Sequence, residues 1–226
     1  MTIPIKIISQ EEYLKENLKP NQEKVWDIIL VPWEKYVVKR IPIIKRFLEN
    51  KKGKILDLGC GSGRNMIPGK NKKYFAVDFS SEQLRNAESY SKEEDVDAEF
   101  FKFSADKLPF ENEFFDCGLF IATLHCLETK NERENAIKEF YRVLKKGAEG
   151  LISVWNSEDK RFGGLKGSIY MSWRENGIPY MRYYYLFDKQ ELIQLLEKTG
   201  FEILEIYKPE LHDRFSKKNW ILRIKK

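Results

Sequence analysis

Lys54-Ile55-Leu56-Asp57-Leu58-Gly59-Cys60-Gly61-Ser62-Gly63-Arg64 is the stretch whose reading decides the fold. The apolar run KILDL (54–58) has the length of a short buried strand and ends on three glycines, each separated from the next by one residue. Glycines so placed let the backbone turn sharply and approach a ligand closely, and a helix predicted to follow would offer free N–H groups at its start. A dinucleotide fingerprint fails, because counting G-x-G-x-x-G from Gly59 puts Arg64 where the third glycine belongs. The phosphate-binding P-loop fails too, since no Gly-Lys-Ser/Thr follows. Asp57 adds a carboxylate at the loop entrance, where a pyrophosphate is repelled but an ammonium or sulfonium is attracted. The plainer alternative is a loop whose glycines only turn the chain.

Outward from that loop, short apolar runs alternate with turns and helical stretches, which reads as an α/β fold with a mostly parallel sheet. YFAVD (74–78) is the second strand, and Ser80 with Gln83 has capping-box spacing for a helix to about Tyr90. AEFFKF (98–103), FFDCGLFIA (114–122) and GLISVW (150–155) are strands three to five. Asn131 with Glu134 is predicted to open a helix through Leu144, stopped by Gly147. Asp188 with Glu191 caps another that ends at Gly200, followed by strands FEILEIY (201–207) and NWILRIK (219–225). Residues 21–49 read as two helical pieces broken at Pro32. The glycine- and aromatic-rich stretch 156–187 breaks the rhythm as an insertion. The expectation is one domain over 1–226, with a helical N-terminal extension (1–50) and a substrate-side insertion (156–187).

Composition narrows the class further. A 42% hydrophobic fraction over 226 residues suits a buried core and argues against disorder. No stretch approaches the ~20 uninterrupted apolar residues of a membrane span. The start MTIPIKIISQEEY is too short and polar for a signal peptide. Cys60, Cys117 and Cys126 form no disulfide framework, so a cytoplasmic setting is expected. With only His125 and His212 and no CxxC, no metal site is expected. The net charge of +5 says little, but Arg214, Lys217, Lys218, Arg223, Lys225 and Lys226 close the chain without an acid. They read as a solubilising tail or as a nucleic-acid contact.

Two further acids stand at strand ends. Asp78 can accept hydrogen bonds from both hydroxyls of a ribose; the alternative is a helix cap or surface acid. Asp106, in Ser104-Ala105-Asp106, can take the exocyclic amine of an adenine, or simply make a turn.

DLGCGSG, VDFS, AD-LPF, FDCGLFIATLHCL and RVLKKGAEGLISVW together resemble the class I S-adenosylmethionine-dependent methyltransferases, over about residues 50–155. The resemblance implies a Rossmann-like seven-stranded sheet with its last two strands in an antiparallel hairpin. It implies S-adenosyl-L-methionine as cofactor and S-adenosyl-L-homocysteine as product. The cofactor-binding set it implies is Asp57, Gly59, Gly61, Gly63, Arg64, Asp78, Phe79, Ala105, Asp106 and Ala122. Outside that core, WDIILVPWEKY, MRYYYLF and KNWILRIKK are similar to the tRNA methyltransferases that esterify carboxymethyluridine at the wobble position, and to their archaeal relatives. Those enzymes carry Arg-Tyr-Tyr-His where this chain has Arg182-Tyr183-Tyr184-Tyr185, and His-His where it has His125-Cys126.

A sulfonium methyl is already activated, so an ionised carboxylate needs position and exclusion of water but no base. Arg182 is the candidate carboxylate clamp, with Tyr183 and Tyr184 to bond or stack and His125 to orient the acceptor. The alternatives are an amphipathic strand whose tyrosines pack on the sheet, and a satisfied core histidine. Lys160, Arg161, Lys166 and Arg174, interleaved with Phe162, Tyr170, Trp173 and Tyr180, suit single-stranded RNA or a lid over a small acid. Three functions compete: methylation of a wobble uridine in tRNA, methylation of a small carboxylic or phenolic metabolite, and a non-catalytic cofactor-binding subunit. The eukaryotic relatives use a small zinc-binding activator subunit, and the edge strand 98–103 is where a similar partner is expected to dock by strand addition.

Overall fold

The computed structural model describes residues 6–37, 41–208 and 214–226. Strand β1 (Ile7–Ser9) leads into a short helix α1 (Gln10–Leu14), capped by Ser9 Oγ accepting from the Glu12 amide. Helix α2 (Gln22–Val37) then runs through Pro32, and the interruption falls instead before Pro42, the first residue of α3 (Pro42–Leu48). A proline costs least there, because the first helical N–H has no partner within the helix.

The glycine loop follows β2 (Gly53–Leu58), but no helix follows the loop. Residues 59–71 turn directly into β3 (Lys72–Asp78), with Pro68 and Gly69 standing where a helix would have to continue. Helix α4 (Ser81–Glu93) starts as predicted, the Ser80 hydroxyl accepting from the Gln83 amide. β4 (Ala98–Lys102) and β5 (Phe115–Ile121) come next. Helix α5 (Lys130–Val143) begins two residues earlier than expected, at a full capping box of Thr129 with Glu132. Leu144 is already the first residue of β6 (Leu144–Trp155), so Gly147 (φ +76°) bends a strand and does not end a helix. The stretch 156–187 is an antiparallel hairpin, β7 (Gly167–Glu175) and β8 (Ile178–Leu186), with β1 added to its β7 edge. Helix α6 (Lys189–Thr199), capped by Asp188 and closed by Gly200, precedes β9 (Glu202–Ile206), α7 (Arg214–Lys218) and β10 (Asn219–Lys225).

The large sheet has the order β4-β3-β2-β5-β6-β10-β9, with β10 antiparallel to both neighbours and the first five strands parallel. Two apolar layers flank it. Leu56, Leu58 and Phe120 pack with Ile137, Phe140, Leu192 and Leu196 of α5 and α6. Ile55, Leu119 and Ile121 pack with Ile43, Phe47 and Leu48 of α3 and Ala87 of α4. The basic C-terminal run is no tail: Arg223 meets Glu149 and Glu205, and Lys226 Nζ donates to the Leu144 carbonyl. From β2 the chain order runs outward in both directions, so a crevice opens at the carboxyl ends of β2, β3 and β5.

Candidate active site

That crevice is a cleft of about 460 Å³. Its floor is the glycine loop. Gly59 (φ +72°) leaves no room for a side chain, since a Cβ there would lie 2.2 Å from Thr123. Thr123 Oγ1 in turn donates to the Gly59 carbonyl at 3.2 Å, fixing the end of β5 against the loop. Ala122 also sits at positive φ (+54°), a conformation that costs a non-glycine residue about 1 kcal/mol or more. Its N–H is held by Ser153, from both the carbonyl and Oγ at 3.0 Å.

The Asp78 carboxylate joins the cleft's two sides. One oxygen accepts from the Gly61 amide at 2.9 Å and the other from the Ser80 amide at 3.0 Å. Burial pushes its pKa up to about 6, with those amides and that of Phe79 pulling the other way. Each oxygen retains a lone pair, so the group can still accept from a ligand diol. Phe79 offers a ring 36% exposed beside it. Asp57 lies under the loop, fully buried, and neither carboxylate oxygen has a hydrogen bond that meets normal geometry. Burial lifts its pKa to about 7 against the opposing pull of Arg64 and Asn65. A buried carboxylate beneath a ligand cleft suits a cationic ligand group.

Of the expected cofactor residues, Gly59, Gly61, Arg64, Asp78, Phe79 and Ala122 line the cleft. Asp57 and Gly63 lie beneath it, Gly63 having no room for a Cβ because Met66 and Ala87 close in. Ala105 packs into the core with Leu108, and the Asp106 carboxylate takes its bond from Ser104 Oγ; neither lines the cleft. The sequence reading missed Trp26, Asn65, Thr123 and Cys126, and it missed a whole face of α4. Gln83, Asn86, Tyr90 and Glu93 follow helical spacing and border the cleft because no helix after the glycine loop covers them.

The acceptor-side candidates separate by strand alternation. Arg182 and Tyr184 lie on one face of β8, where the guanidinium stands 5.3 Å from the Trp173 ring, 5.4 Å from Tyr184 and 6.0 Å from Trp26. The Tyr184 ring lies tilted against its neighbours, its centroid 3.8 Å from that of Trp155 and 5.6 Å from that of His125. Tyr183 points to the opposite face, where its hydroxyl meets Ser168 Oγ at 2.7 Å and Arg133 at 3.3 Å. The pairing of Tyr183 with Arg182 is therefore corrected: Tyr184 shares the arginine's face. His125 is buried, with Nδ1 accepting from the Trp155 amide at 3.3 Å. Burial, reinforced by Arg161, lowers its pKa to about 3. Neither Arg182 nor His125 lines the cleft directly; Trp26 and Cys126, which do, stand next to them.

The fold and this cleft define a methyltransferase that uses S-adenosyl-L-methionine as cofactor. Residues 55–147 match the methyltransferase-domain family. The chain belongs to that family: it is 31% identical over 172 residues to a methyltransferase of Encephalitozoon cuniculi, covering 71% of this chain and 77% of that one. It is 28% identical over 210 residues to the tRNA (carboxymethyluridine(34)-5-O)-methyltransferase of Schizosaccharomyces pombe, covering 80% and 89% of the two chains. The Arabidopsis thaliana protein of that name is 30% identical over 166 residues, and there the match spans 70% of this chain but 40% of the relative. Among solved structures, a SAM-dependent methyltransferase from Methanosarcina mazei is similar at 27% identity with a TM-score of 0.64, covering 82% of this chain and 97% of that one. The expected fold and cofactor hold. Among the described residues no group of side chains could hold a metal ion, and no helix is long and apolar enough to cross a membrane.

Proposed function

We propose that the chain methylates the carboxymethyl group of a modified wobble uridine in tRNA, forming the ester. The observation that carries this reading is the shortage of a competent base beside Arg182, the raised carboxyls of Asp57 and Asp78 lying at the glycine-loop end of the cleft. His125 is held near pKa 3, and the Cys126 thiol is pushed up to about 12 by burial. Neither removes a proton well at neutral pH, so an acceptor that arrives already ionised is the one the site suits. In the transfer a carboxylate oxygen forms the new O–CH3 bond as the C–S bond breaks. The electron pair stays on sulfur and no proton moves. The cofactor's contribution is the activated sulfonium methyl. On this reading Asp78 takes the ribose hydroxyls, Phe79 stacks on the adenine, and Arg182 supplies positive charge for the acceptor. Two tRNA methyltransferases of this name among the relatives support the tRNA substrate.

The test is transfer of labelled methyl to bulk tRNA against transfer to a small-molecule extract, with the product nucleoside identified by hydrolysis. Label confined to small acids would leave the base-free chemistry and overturn the tRNA substrate.

A partner belongs to the same reading. A complex of a Haloferax volcanii methyltransferase with its Trm112 activator shares this fold (16% identity, TM-score 0.67). β4 is an edge strand of the large sheet, and we propose its outer edge for a subunit of that kind. Phe101 is packed against Phe75 and Phe110, and Phe100 against the opposite layer. They are core residues in part, so the side chain available to a partner is Phe103, 41% exposed just past the strand.

A further inference from the structure

Gln22 has no place in any motif read from the sequence, yet α2 buries it against the hairpin, 8% exposed. Its Nε2 donates to the Met181 carbonyl at 3.2 Å, and its Oε1 accepts from the Tyr183 amide at 2.8 Å. The order β1-β7-β8 makes β8 an edge strand, so alternate peptide groups point away from the ladder. The two groups that Gln22 takes flank Arg182, whose own cross-strand partner is Met171 on β7. A carboxamide carries both the donor and the acceptor of a peptide unit, so Gln22 stands in for a missing neighbour strand at one residue. Any position along β8 would serve plain satisfaction of the edge; the one taken is that of the proposed carboxylate clamp. One turn further along α2, Trp26 lines the cleft and its ring lies 6.0 Å from the Arg182 guanidinium. The arginine is thus held through its backbone by the same helix that walls the cleft.

We infer that Gln22 is a positioning residue for the acceptor: it fixes the β8 backbone on both sides of Arg182 and so sets where the guanidinium meets the carboxylate. The inference rests on the proposed role of Arg182 and adds a residue that acts through it.

The physical demand is angular as well as positional. A guanidinium that binds a carboxylate through two parallel bonds tolerates little rotation of either plane. Without Gln22 the two flanking peptide groups must find other partners, and the strand shifts to reach them. A shift of about 1 Å at such a group is enough to degrade recognition and transfer.

The test reads recognition of the acceptor's charge. With S-adenosyl-L-homocysteine bound, affinity is measured for an anticodon stem-loop carrying carboxymethyluridine at the wobble position, and for the same stem-loop carrying its neutral methyl ester. The unsubstituted protein should prefer the acid by about tenfold or more, the worth of a charged hydrogen bond, and Arg182→Ala should abolish that preference. Gln22→Met, of similar length but without either bond, should narrow the preference to within about twofold and leave affinity for the ester and for S-adenosyl-L-homocysteine within about twofold of normal. A residue that only stabilised the fold would weaken both stem-loops alike. Should Gln22→Met fail to fold, Gln22→Asn takes its place, since its shorter carboxamide cannot reach both β8 groups. A preference retained in the Gln22 variant, or an equal loss for both stem-loops, overturns the inference and leaves Arg182 its role. No preference in the unsubstituted protein, or one that survives Arg182→Ala, overturns the reading of Arg182 itself, and the inference with it.

Discussion

Asp57→Asn is expected to stabilise the ligand-free protein at neutral pH while spoiling the cofactor site. Burial raises the Asp57 carboxyl from 3.8 to about 7. An acid raised in the fold binds more protons native than unfolded, so its contribution to stability is intact below the unfolded pKa. That contribution is lost as pH climbs toward the folded one. About three pH units at 1.36 kcal/mol each put the full penalty near 4 kcal/mol above pH 7, of which about 2 kcal/mol accrues between pH 5 and pH 7. Asn keeps the shape and cannot ionise. Its amide, still short of partners, adds a cost of about 1–3 kcal/mol that does not vary with pH. The slope therefore carries the information and the offset does not. Asp78, raised to about 6, contributes a slope of the same sign to both proteins, and its repulsion of Asp57 is part of the difference measured. Urea denaturation of the two proteins at pH 5, 6 and 7 without cofactor gives that difference directly. The stability of Asp57→Asn relative to the unsubstituted chain should rise by about 2 kcal/mol from pH 5 to pH 7. Parallel pH profiles would refute the reasoning, since they would mean that Asp57 is solvated or paired in the native state.

Asp78→Ala removes the acceptor for the Gly61 and Ser80 amides together with the proposed ribose contacts, and should weaken cofactor binding by about 1–3 kcal/mol or more. Unchanged calorimetric affinity would sink the ribose assignment. Arg182→Ala should depress methyl transfer while cofactor affinity survives, with Arg182→Lys recovering part of the rate because it restores charge without the planar fork. Parallel loss of both properties would make Arg182 a structural residue of its aromatic surround. Phe103→Asp should fold and bind cofactor normally yet lose an added Trm112-type subunit in pull-down and sedimentation. A chain that is monodisperse, fully active alone and indifferent to that subunit would remove the β4 proposal.

The large sheet was legible because each of its strands is a compact apolar run and its loops carry the acids and glycines that end them. Leu56, Leu58 and Ile55 on one strand already divide between the two faces of the sheet. What escaped the sequence depended on partners far along the chain. Pro32 looks like a break only if local propensity decides, and α2 continues through it. Gly147 follows a helix-like stretch, but Lys145 and Gly147 lie inside β6, whose Leu144 pairs with Phe115 and whose Glu149 pairs with Cys117. In the run Arg182-Tyr183-Tyr184-Tyr185 a two-residue period sends alternate members to opposite faces, so Arg182 shares its face with Tyr184 and not with Tyr183. The α4 face was hidden for another reason. Its exposure to the cleft depends on a helix that residues 59–71 do not form, and an element that is absent leaves no pattern of its own.

The segment labelled an extension turns out to connect the halves of the site. On α2, Gln22 is buried against the hairpin, donating through Nε2 to the Met181 carbonyl at 3.2 Å and accepting from the Tyr183 amide at 2.8 Å. These two bonds bracket Arg182. One turn on, Trp26 lines the cleft and stands over that arginine, and Asp27 receives the hydroxyl of Ser80, the residue whose amide binds Asp78. Glu23 pairs with Lys102 at the end of β4, an exposed contact worth little in stability. One helix thus touches the proposed acceptor arginine, the wall of the cofactor cleft and the cap beside the proposed ribose acid. Neither the hairpin nor the glycine loop reaches all three. Methyl transfer requires the acceptor oxygen and the sulfonium carbon in line within a few tenths of an ångström, a demand on relative position between the two halves. In this chain α2 is one rigid connection between the cleft and the proposed acceptor arginine, so residues outside the glycine-loop motifs bear on the proposed geometry.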